Sequence, residues 1–479
     1  MNEPPNQVAP AQTALAGQAN AIPDNDALEA EADPKAELGY VLRLGLPAVG
    51  EQVLTMMVNL VNTMLVGYLG ATALTAVGLA GSISFLASTF LTAVAVGATT
   101  LISQAIGAAK PNVAIQILEQ ALIVGLALGI IATLVLWPLA RQSMLLMGAE
   151  EESVRLGAGY LRLIALSFPF LSLLLVGSGA LRGAGDTRSP MVIIGWVNIV
   201  NLVLSYVLVR GLGPIPALGV RGAGIAATIS TILGCLAILL LLSSGRSRLR
   251  LRRAPLQLNT TVLAALLRIG LPAGGETLLF RFAFLAYTRA ISSLGTVAYA
   301  AYIVTQRLEG FFDMPALGFS VAATTLVGQA LGANQPLRGR RSVFYCIMVS
   351  LAFSLVCGLL CWFLPEPLMR LFTQDQDVLE QGYALMRIIA VGLPSVAFAL
   401  CFAGGLRGAG STRTVMVITG LGSWVVRVPL AFLCVTVLPW GLAGVQVAMF
   451  LDYLLRAVLF GLRFRAGTWD RQTTVIPKA

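Results

Sequence analysis

Long apolar stretches alternate with short polar segments along most of the chain. Five stretches contain no charged residue: 163–180, 189–209, 222–245, 342–364 and 428–451. A helix needs roughly 20 apolar residues to cross a bilayer. Because apolar runs of this length would aggregate in water, the pattern predicts membrane-spanning helices.

The whole chain is predicted to be an all-α polytopic membrane protein with twelve transmembrane helices. Most breaks between the helices carry Gly, Pro or charged residues, as turns do. The predicted spans cover about residues 40–67, 74–104, 113–138, 156–181, 189–210, 221–245, 265–293, 297–329, 341–365, 381–404, 413–435 and 441–463.

The chain also contains an internal repeat. The phrase LRLGLPAVGEQVL at 42–54 returns as LRIGLPAGGETLL at 267–279, an offset of 225 residues. Two further phrases return at the same offset. The phrase VGATTLISQAIGAAKP, which starts at 96, returns as VAATTLVGQALGANQP at 321. The phrase LRGAGDTR, which starts at 181, returns as LRGAGSTR at 406. A fixed offset across separated motifs indicates an internal duplication.

The parity of the repeat predicts its symmetry. Each copy holds six spans, so both copies enter the membrane in the same direction and form a parallel repeat. Two pseudo-symmetric six-helix lobes that face each other enclose a cleft near the middle of the bilayer. This arrangement is typical of a carrier that works by alternating access.

Composition agrees with a membrane protein. The 479 residues are 57% hydrophobic and 11% charged, with a mean hydropathy of +0.84, whereas soluble domains contain about a quarter charged residues. The predicted organisation is a disordered acidic tail at 1–38, an N-terminal lobe at 39–245, a basic linker at 246–262, a C-terminal lobe at 263–466 and a tail at 467–479.

Loop charges predict the orientation. Loops on the side of the amino-terminal tail hold 13 Lys and Arg residues, and loops on the other side hold 5. The positive-inside rule then places both termini in the cytoplasm of a cell-membrane protein. Because the basic residues lie in short loops between spans, the overall charge of +10 does not indicate nucleic-acid binding.

The content of metal-binding residues is low. The chain has no His, and its six Cys residues all fall within apolar spans without zinc-like spacing. The cysteines are therefore interpreted as small buried apolar residues, and no metal or organic cofactor is expected.

Four motifs follow one another in the order LPA.GEQVL, VNTMLVGYLG, LVGQ.LGA and LRGAGDTR, and this order is given twice over twelve helices between residues 40 and 465. The order resembles that of the multidrug and toxin extrusion (MATE) family. The resemblance implies a two-lobed efflux antiporter, not an enzyme. Such a protein exports organic cations or other amphipathic small molecules in exchange for H⁺ or Na⁺. It works in the lipid bilayer, and carriers of this shape can function as monomers.

Charged residues at bilayer depth need a reason, because each costs about 2.5–3.5 kcal/mol on insertion scales. Glu51 and Glu276 are the equivalent acids of the two copies. One hypothesis makes them titrating sites that couple transport to an ion, since burial disfavours the charged carboxylate. The alternative is a structural carboxylate that pairs or caps near one end of its lobe.

Span eight is predicted to carry a polar stripe on one helical face. Its members follow i, i+4, i+7, i+11 spacing: Tyr302, Gln306, Glu309 and Asp313. The stripe suits a cleft that binds cations, with Tyr302 adding a cation–π contact. The alternative is a buried ion pair of Glu309 with Arg307 or Arg281. Pro315 is expected to bend the helix nearby.

The first lobe offers amides instead of acids: Asn62 on helix 1, and Asn198 and Asn201 on helix 5. Many bacterial members of the family have an Asp where Asn62 stands, and some have one where Ser205 stands. Neutral amides can coordinate Na⁺ or bind substrate but cannot carry a proton. The second-lobe acids are therefore the preferred coupling candidates.

Two further motifs are interpreted as structural. Asp452 and Arg456 have the i, i+4 spacing of an intrahelical ion pair. The LRGAG phrases resemble phosphate-binding loops, but they lack the preceding strand and the Lys-Ser/Thr ending of a P-loop, so a turn is predicted.

Two other functions predict different sequence features. A flippase or exporter of a lipid or lipid-linked saccharide from the same superfamily would commonly have fourteen spans and a strongly cationic cleft. An intramembrane prenyl transferase would need clustered Asp residues to bind a metal and a diphosphate, and no such cluster occurs in the spans.

Overall fold

The computed structural model describes residues 34–211, 216–245, 247–251, 259–438, 440–467 and 469. Within these residues all regular structure is helical, and twelve segments are long and apolar enough to cross a membrane. The prediction of an all-α protein with twelve spans is confirmed. Almost all of the acidic tail and most of the carboxy-terminal tail lie outside the described residues.

The first lobe contains six helices. They are α1 (Pro34–Gly67), α2 (Ala71–Gly107), α3 (Pro111–Leu146), α4 (Glu151–Gly183), α5 (Arg188–Arg210) and α6 (Gly219–Ser244). Helix α1 begins four residues before the predicted end of the tail. Its first turn carries Glu37, whose Oε1 accepts a hydrogen bond from Ser342 of the second lobe at 3.1 Å.

The second lobe contains the corresponding helices in a more broken form. They are α7 (Thr260–Ser292), α8 (Thr296–Phe312), α9 (Met314–Gly332), α10 (Pro336–Phe363), α11 (Pro365–Arg370), α12 (Gln376–Gly408), α13 (Thr412–Leu421), α14 (Val428–Thr436) and α15 (Gly441–Arg465). Helix α7 begins inside the predicted linker because the Asn259 side chain caps it, accepting from the N–H groups of Thr261 and Val262 at 3.0 and 3.3 Å.

The second lobe departs from the regular helices of the first at two places. The single helix α2 corresponds to α8 and α9, which are separated at Asp313. Pro315 stands in the first turn of α9, where its missing N–H is not needed; the predicted bend stays a prediction, and what the structure shows there is an interruption of the helix at Asp313. The single helix α5 corresponds to α13 and α14, joined by a π-helical turn at Gly422–Arg427.

The lobes pack against each other at the end of the bundle where α1 begins and α2 ends. We call this contact the seam and define it by residues 100–107 of α2, 325–332 of α9 and the LRGAG ends of α4 and α12. A Cβ built on Gly107 would overlap the carbonyl of Gln329, and one built on Gly332 would overlap the carbonyl of Gln104. Only glycine permits this approach of the two helix backbones.

Hydrogen bonds across the seam follow the repeat. Side chains of each lobe donate to carbonyl oxygens at the LRGAG helix ends of the other lobe. The pairs are Thr100 to Arg407 (3.1 Å), Thr325 to Arg182 (3.1 Å), Gln104 to Gly408 (3.0 Å) and Gln329 to Gly183 (3.1 Å). Each contact has a partner 225 positions away, so a pseudo-two-fold axis passes through the seam, as the parallel repeat predicts.

Candidate functional site

A buried polar cluster lies in the second lobe, away from the seam along the bundle. It joins Glu309 of α8, Asp313 at the α8–α9 break, Arg427 at the end of the π turn, and Gln446 and Asp452 of α15. Both irregularities of the second lobe therefore contribute a residue to the same cluster. Isolated π turns are frequent at functional sites.

Two carboxylates of the cluster form no ion pair within the part of the chain that the structure describes. Glu309 is 6% exposed, and its Oε2 accepts a hydrogen bond from Gln446 Nε2 at 3.3 Å. Asp313 Oδ1 is buried without a hydrogen-bond partner in the part of the chain that the structure describes. A buried unpaired carboxylate is costly, so a ligand or a proton would stabilise this arrangement.

The alternative of an ion pair for Glu309 is wrong. Arg307 is exposed, and the Arg281 guanidinium lies 3.7 Å from the centre of the Phe85 ring in the first lobe. Among the described residues neither arginine pairs with Glu309. Arg307 follows Gln306 on the helix surface, and Arg281 reaches across the lobe interface instead of into the cluster.

Asp452 receives both buried arginines. Arg456 donates to its two oxygens from Nε and Nη2 at 2.6 and 2.5 Å, and Arg427 Nε lies 2.8 Å from Oδ2. The intrahelical pair predicted from the spacing is confirmed, with Arg427 as an additional partner. A third Arg456 hydrogen bond, from Nη2 to Ser423 Oγ at 2.8 Å, ties α15 to the π turn.

Aromatic rings surround the Arg427 guanidinium, which is 1% exposed. The ring centres of Tyr453, Phe280 and Tyr287 lie 5.0, 5.1 and 5.8 Å from its central carbon. Tyr287 also donates to the carbonyl of Val445 at 3.1 Å. These rings are within the range of cation–π attraction and keep the guanidinium out of water.

The predicted stripe on α8 is partly assembled into this cluster. Tyr302 is buried, its ring centre lies 6.0 Å from that of Tyr287, and its hydroxyl has no hydrogen-bond partner among the described residues. Gln306 is half-buried. The stripe thus presents one buried carboxylate, one buried hydroxyl and an amide along the same helix.

The ionisable groups of the cluster do not balance. Three carboxylates (Glu309, Asp313 and Asp452) face two guanidiniums (Arg427 and Arg456). Both guanidiniums already pair with Asp452. When all groups are ionised the cluster has an excess negative charge on the α8 side, which suits a bound cation or a proton.

The equivalent acids Glu51 and Glu276 lie elsewhere, beside the seam. Arg182 Nη1 lies 2.6 Å from Glu51 Oε1, and Arg407 Nη2 lies 2.6 Å from Glu276 Oε1. Thr419 also donates to Glu276 at 3.2 Å. Each pair holds an arginine whose carbonyl accepts a hydrogen bond across the seam. This arrangement agrees with the interpretation of Glu51 and Glu276 as structural carboxylates that pair near one end of each lobe.

The first-lobe amides are brought together in part. Asn62 Nδ2 donates to Asn201 Oδ1 at 2.6 Å, which joins α1 to α5. Asn201 and Ser205 are buried, and Asn198 Nδ2 is buried with no described hydrogen-bond partner. The described residues of the first lobe therefore hold a neutral polar site at Asn62, Asn198 and Asn201.

Arg427 and Gln446 are the cluster residues without a predicted role. Arg427 is a single charge in an otherwise apolar stretch, GSWVVRVP, which was the available signal. The LRGAG phrases form turns, as predicted: Gly185 and Gly410 have φ of 88° and 78°. Searched over the described residues, no group of three or more His, Cys, Asp or Glu side chains could hold a metal ion.

The family model MatE matches residues 47–207 and 272–433. The two matched ranges start 225 positions apart and end 226 positions apart. The match covers both lobes and agrees with the duplication found in the sequence.

Named relatives and solved structures show similarity along most of the chain. A probable multidrug resistance protein NorM of Thermotoga maritima is 31% identical over 92% of this chain and 96% of its own. An FAD transporter of Shewanella oneidensis is 29% identical over 67% of this chain and 71% of its own. A MOP-superfamily transporter from Pyrococcus furiosus has the same fold, with a TM-score of 0.85 and 24% identity over 90% and 95% of the two chains.

Proposed function

The chain belongs to the MatE family of membrane transporters, and from this premise we propose that it is a secondary active antiporter. It exports organic cations or other amphipathic compounds in exchange for H⁺ or Na⁺. The protein is a multi-pass membrane protein and a transporter, not an enzyme. The resistance function in the name of the Thermotoga maritima relative supports export of foreign compounds.

The observation that carries the proposal is that Glu309 and the half-buried Asp313 form no ion pair with any described residue. Glu309 and Asp313 stand one helical turn apart, and both buried guanidiniums are held by Asp452. An organic cation, Na⁺ or a proton would each neutralise the excess negative charge. Two ligands that compete for one charge lower each other's affinity, which gives exchange.

The direction of transport follows from the proposed orientation. With the positive-inside rule, the seam lies at the cytoplasmic side. The lobes meet there through glycine contacts and hydrogen bonds, so this conformation is closed toward the cytoplasm. Substrate enters when the seam opens and leaves when it has closed again.

Glu51 and Glu276 take a place in this cycle through their arginines. Each arginine side chain pairs with the glutamate, while its carbonyl accepts a hydrogen bond from the other lobe. Neutralising either glutamate would release an arginine that helps to position the seam. These acids therefore affect opening of the cytoplasmic side, whether or not they also carry the coupling ion.

The test is efflux of a fluorescent organic cation from proteoliposomes under an imposed pH gradient or, separately, an imposed Na⁺ gradient. We expect Glu309→Gln and Asp313→Asn to reduce gradient-driven efflux by at least about tenfold, since each loses an interaction with the cation worth more than 1.4 kcal/mol. Glu366→Gln is the control, because its carboxylate belongs to an exposed ion pair of the same lobe.

The outcomes separate the alternatives. Efflux with one gradient, lost in the two variants and kept in the control, supports antiport through the second-lobe acids. No movement of the cation under either gradient by folded protein would contradict the proposal. The same assay would then be repeated with FAD and with a fluorescent lipid, because the Shewanella oneidensis relative is named an FAD transporter.

A further inference from the structure

A basic pocket opens on the seam side of the first lobe, separate from the polar cluster. Its volume is about 210 Å³. It lies between the start of α1, the turn from α4 to α5, and the described part of the linker. The lining residues are Tyr40, Arg43, Gly185, Asp186, Thr187, Arg188, Ser247 and Arg248.

The linker side of this pocket is held in place by apolar contacts. Leu249 is fully buried in the core of the first lobe, and the N–H of Leu251 donates to the carbonyl of Leu242 at 3.1 Å. These contacts fix residues 247–251 against the end of α6. Arg248 is thereby directed to the pocket from the side opposite α1.

The opposite wall is shaped by the α4–α5 turn. Gly185 has a positive φ of 88°, and a Cβ there would lie 3.3 Å from the Tyr40 hydroxyl and 3.9 Å from Arg248 Nη1. The Thr187 hydroxyl donates to the carbonyl of Arg43 at 3.5 Å, which joins the turn to α1. Three separate segments therefore converge on one small volume.

Positive charge dominates the lining. Arg43, Arg188 and Arg248 contribute three guanidiniums, and Asp186 is the single acid among the lining residues. Asp186 Oδ1 accepts a hydrogen bond from the N–H of Ser189 at 3.0 Å and so caps the start of α5. The guanidinium groups are exposed to solvent, and their planar fork matches the geometry of phosphate oxygens.

We propose that this pocket binds the phosphate headgroup of an anionic phospholipid. The pocket sits where α1 and α5 begin, at the level at which spans leave the bilayer, and basic pockets between spans suit anionic headgroups. The Tyr40 hydroxyl donates to Gln329 Oε1 across the seam at 3.1 Å. A headgroup in the pocket would thus lie beside a residue that joins the two lobes.

The duplication provides a matched control in the same chain. Arg268 and Arg413 stand 225 positions after Arg43 and Arg188 and are equally exposed. Ala265 stands where the first copy has Tyr40, and the described residues after α15 (466, 467 and 469) include no arginine. Among the described residues, the second lobe therefore offers two equivalent arginines without the third arginine that the linker adds in the first lobe.

The experiment measures binding of short-chain phosphatidylglycerol to the full-length protein in neutral detergent, by native mass spectrometry and by thermal shift. Each basic residue near an anionic surface is worth about fivefold in affinity. We expect the variant Arg43→Gln/Arg188→Gln/Arg248→Gln to bind roughly a hundredfold more weakly. Arg268→Gln/Arg413→Gln should bind within about threefold of the wild type. Short-chain phosphatidylcholine should not bind the pocket.

The remaining arms make the result decisive. The single variant Arg248→Gln should weaken binding about fivefold. Because Arg248 lies outside the helices, this variant replaces the triple variant if the latter does not fold. Equal losses in the pocket and control variants would contradict the proposal, because binding would then follow overall charge. Displacement of phosphatidylglycerol by inorganic phosphate at equal concentration would also overturn it and assign the pocket to free phosphate.

Discussion

Replacement of Gly332 by Ala tests the seam directly. The added Cβ would lie 2.9 Å from the carbonyl carbon of Gln104 and closer still to its oxygen. Because non-bonded carbon atoms prefer about 3.5–4.0 Å, the lobes must separate by roughly 1 Å. Overpacking of this kind costs about 1–3 kcal/mol, so the closed seam should become about 5- to 150-fold less populated relative to the open one.

The measurement is the distance between spin labels placed on the two lobes near the seam. Labels at Lys110 and Leu337, in a background without the native cysteines, report the separation of α3 from α10. We expect Gly332→Ala to move the distance distribution to longer values in detergent and in lipid. Gly107→Ala should reproduce the shift, because it packs on Gln329 in the symmetry-related way.

The control is Gly81→Ala on α2, where an added Cβ meets no atom within 4 Å. This variant should leave the distances unchanged. If Gly332→Ala and Gly107→Ala also leave them unchanged while the protein remains folded, the seam is not the contact that closes this side.

Further predictions concern buried polar contacts. Asp452→Asn leaves two buried guanidiniums without a carboxylate and should lower stability by about 3–5 kcal/mol, seen as a large fall of Tm in detergent; a fall equivalent to under about 1 kcal/mol would contradict the ion-pair geometry. Arg182→Gln should lower Tm more than Arg407→Gln, because the second-lobe glutamate keeps a hydrogen bond from a threonine; equal effects would refute this reasoning. Asn62→Ala and Asn201→Ala should be non-additive by about 1 kcal/mol, and strict additivity in a double-mutant cycle would exclude their hydrogen bond.

The helices and the duplication were predictable because their signals are local or repeated. An apolar run of 20 residues has few alternatives to a span, and a constant offset survives substitution of individual residues. The break at Asp313 was also predictable from Pro315, since proline restricts the backbone next to it. The ion pair of Asp452 and Arg456 was predictable because residues four apart on one helix are neighbours.

The contacts between distant segments were not predictable in this way. Arg427 could have paired with any acid of the second lobe, and its partner Asp452 is decided by how α15 packs on the π turn. The alternative that paired Glu309 with Arg281 failed because Arg281 faces the first lobe. Nothing in a single sequence reports which face of α7 meets α2.

The π turn at Gly422–Arg427 has an evolutionary consequence. The LRGAG phrases keep the offset of 225 as far as Arg188 and Arg413, yet the matched copies end 226 positions apart. A π turn closes i→i+5 hydrogen bonds and so holds one residue more than an α-helical turn, which makes Gly422–Arg427 the element that can accommodate a one-residue difference. Counting it aligns Arg427 with Asn201, so a one-codon insertion in one copy of a duplicated gene suffices to put a guanidinium where the other copy keeps an amide.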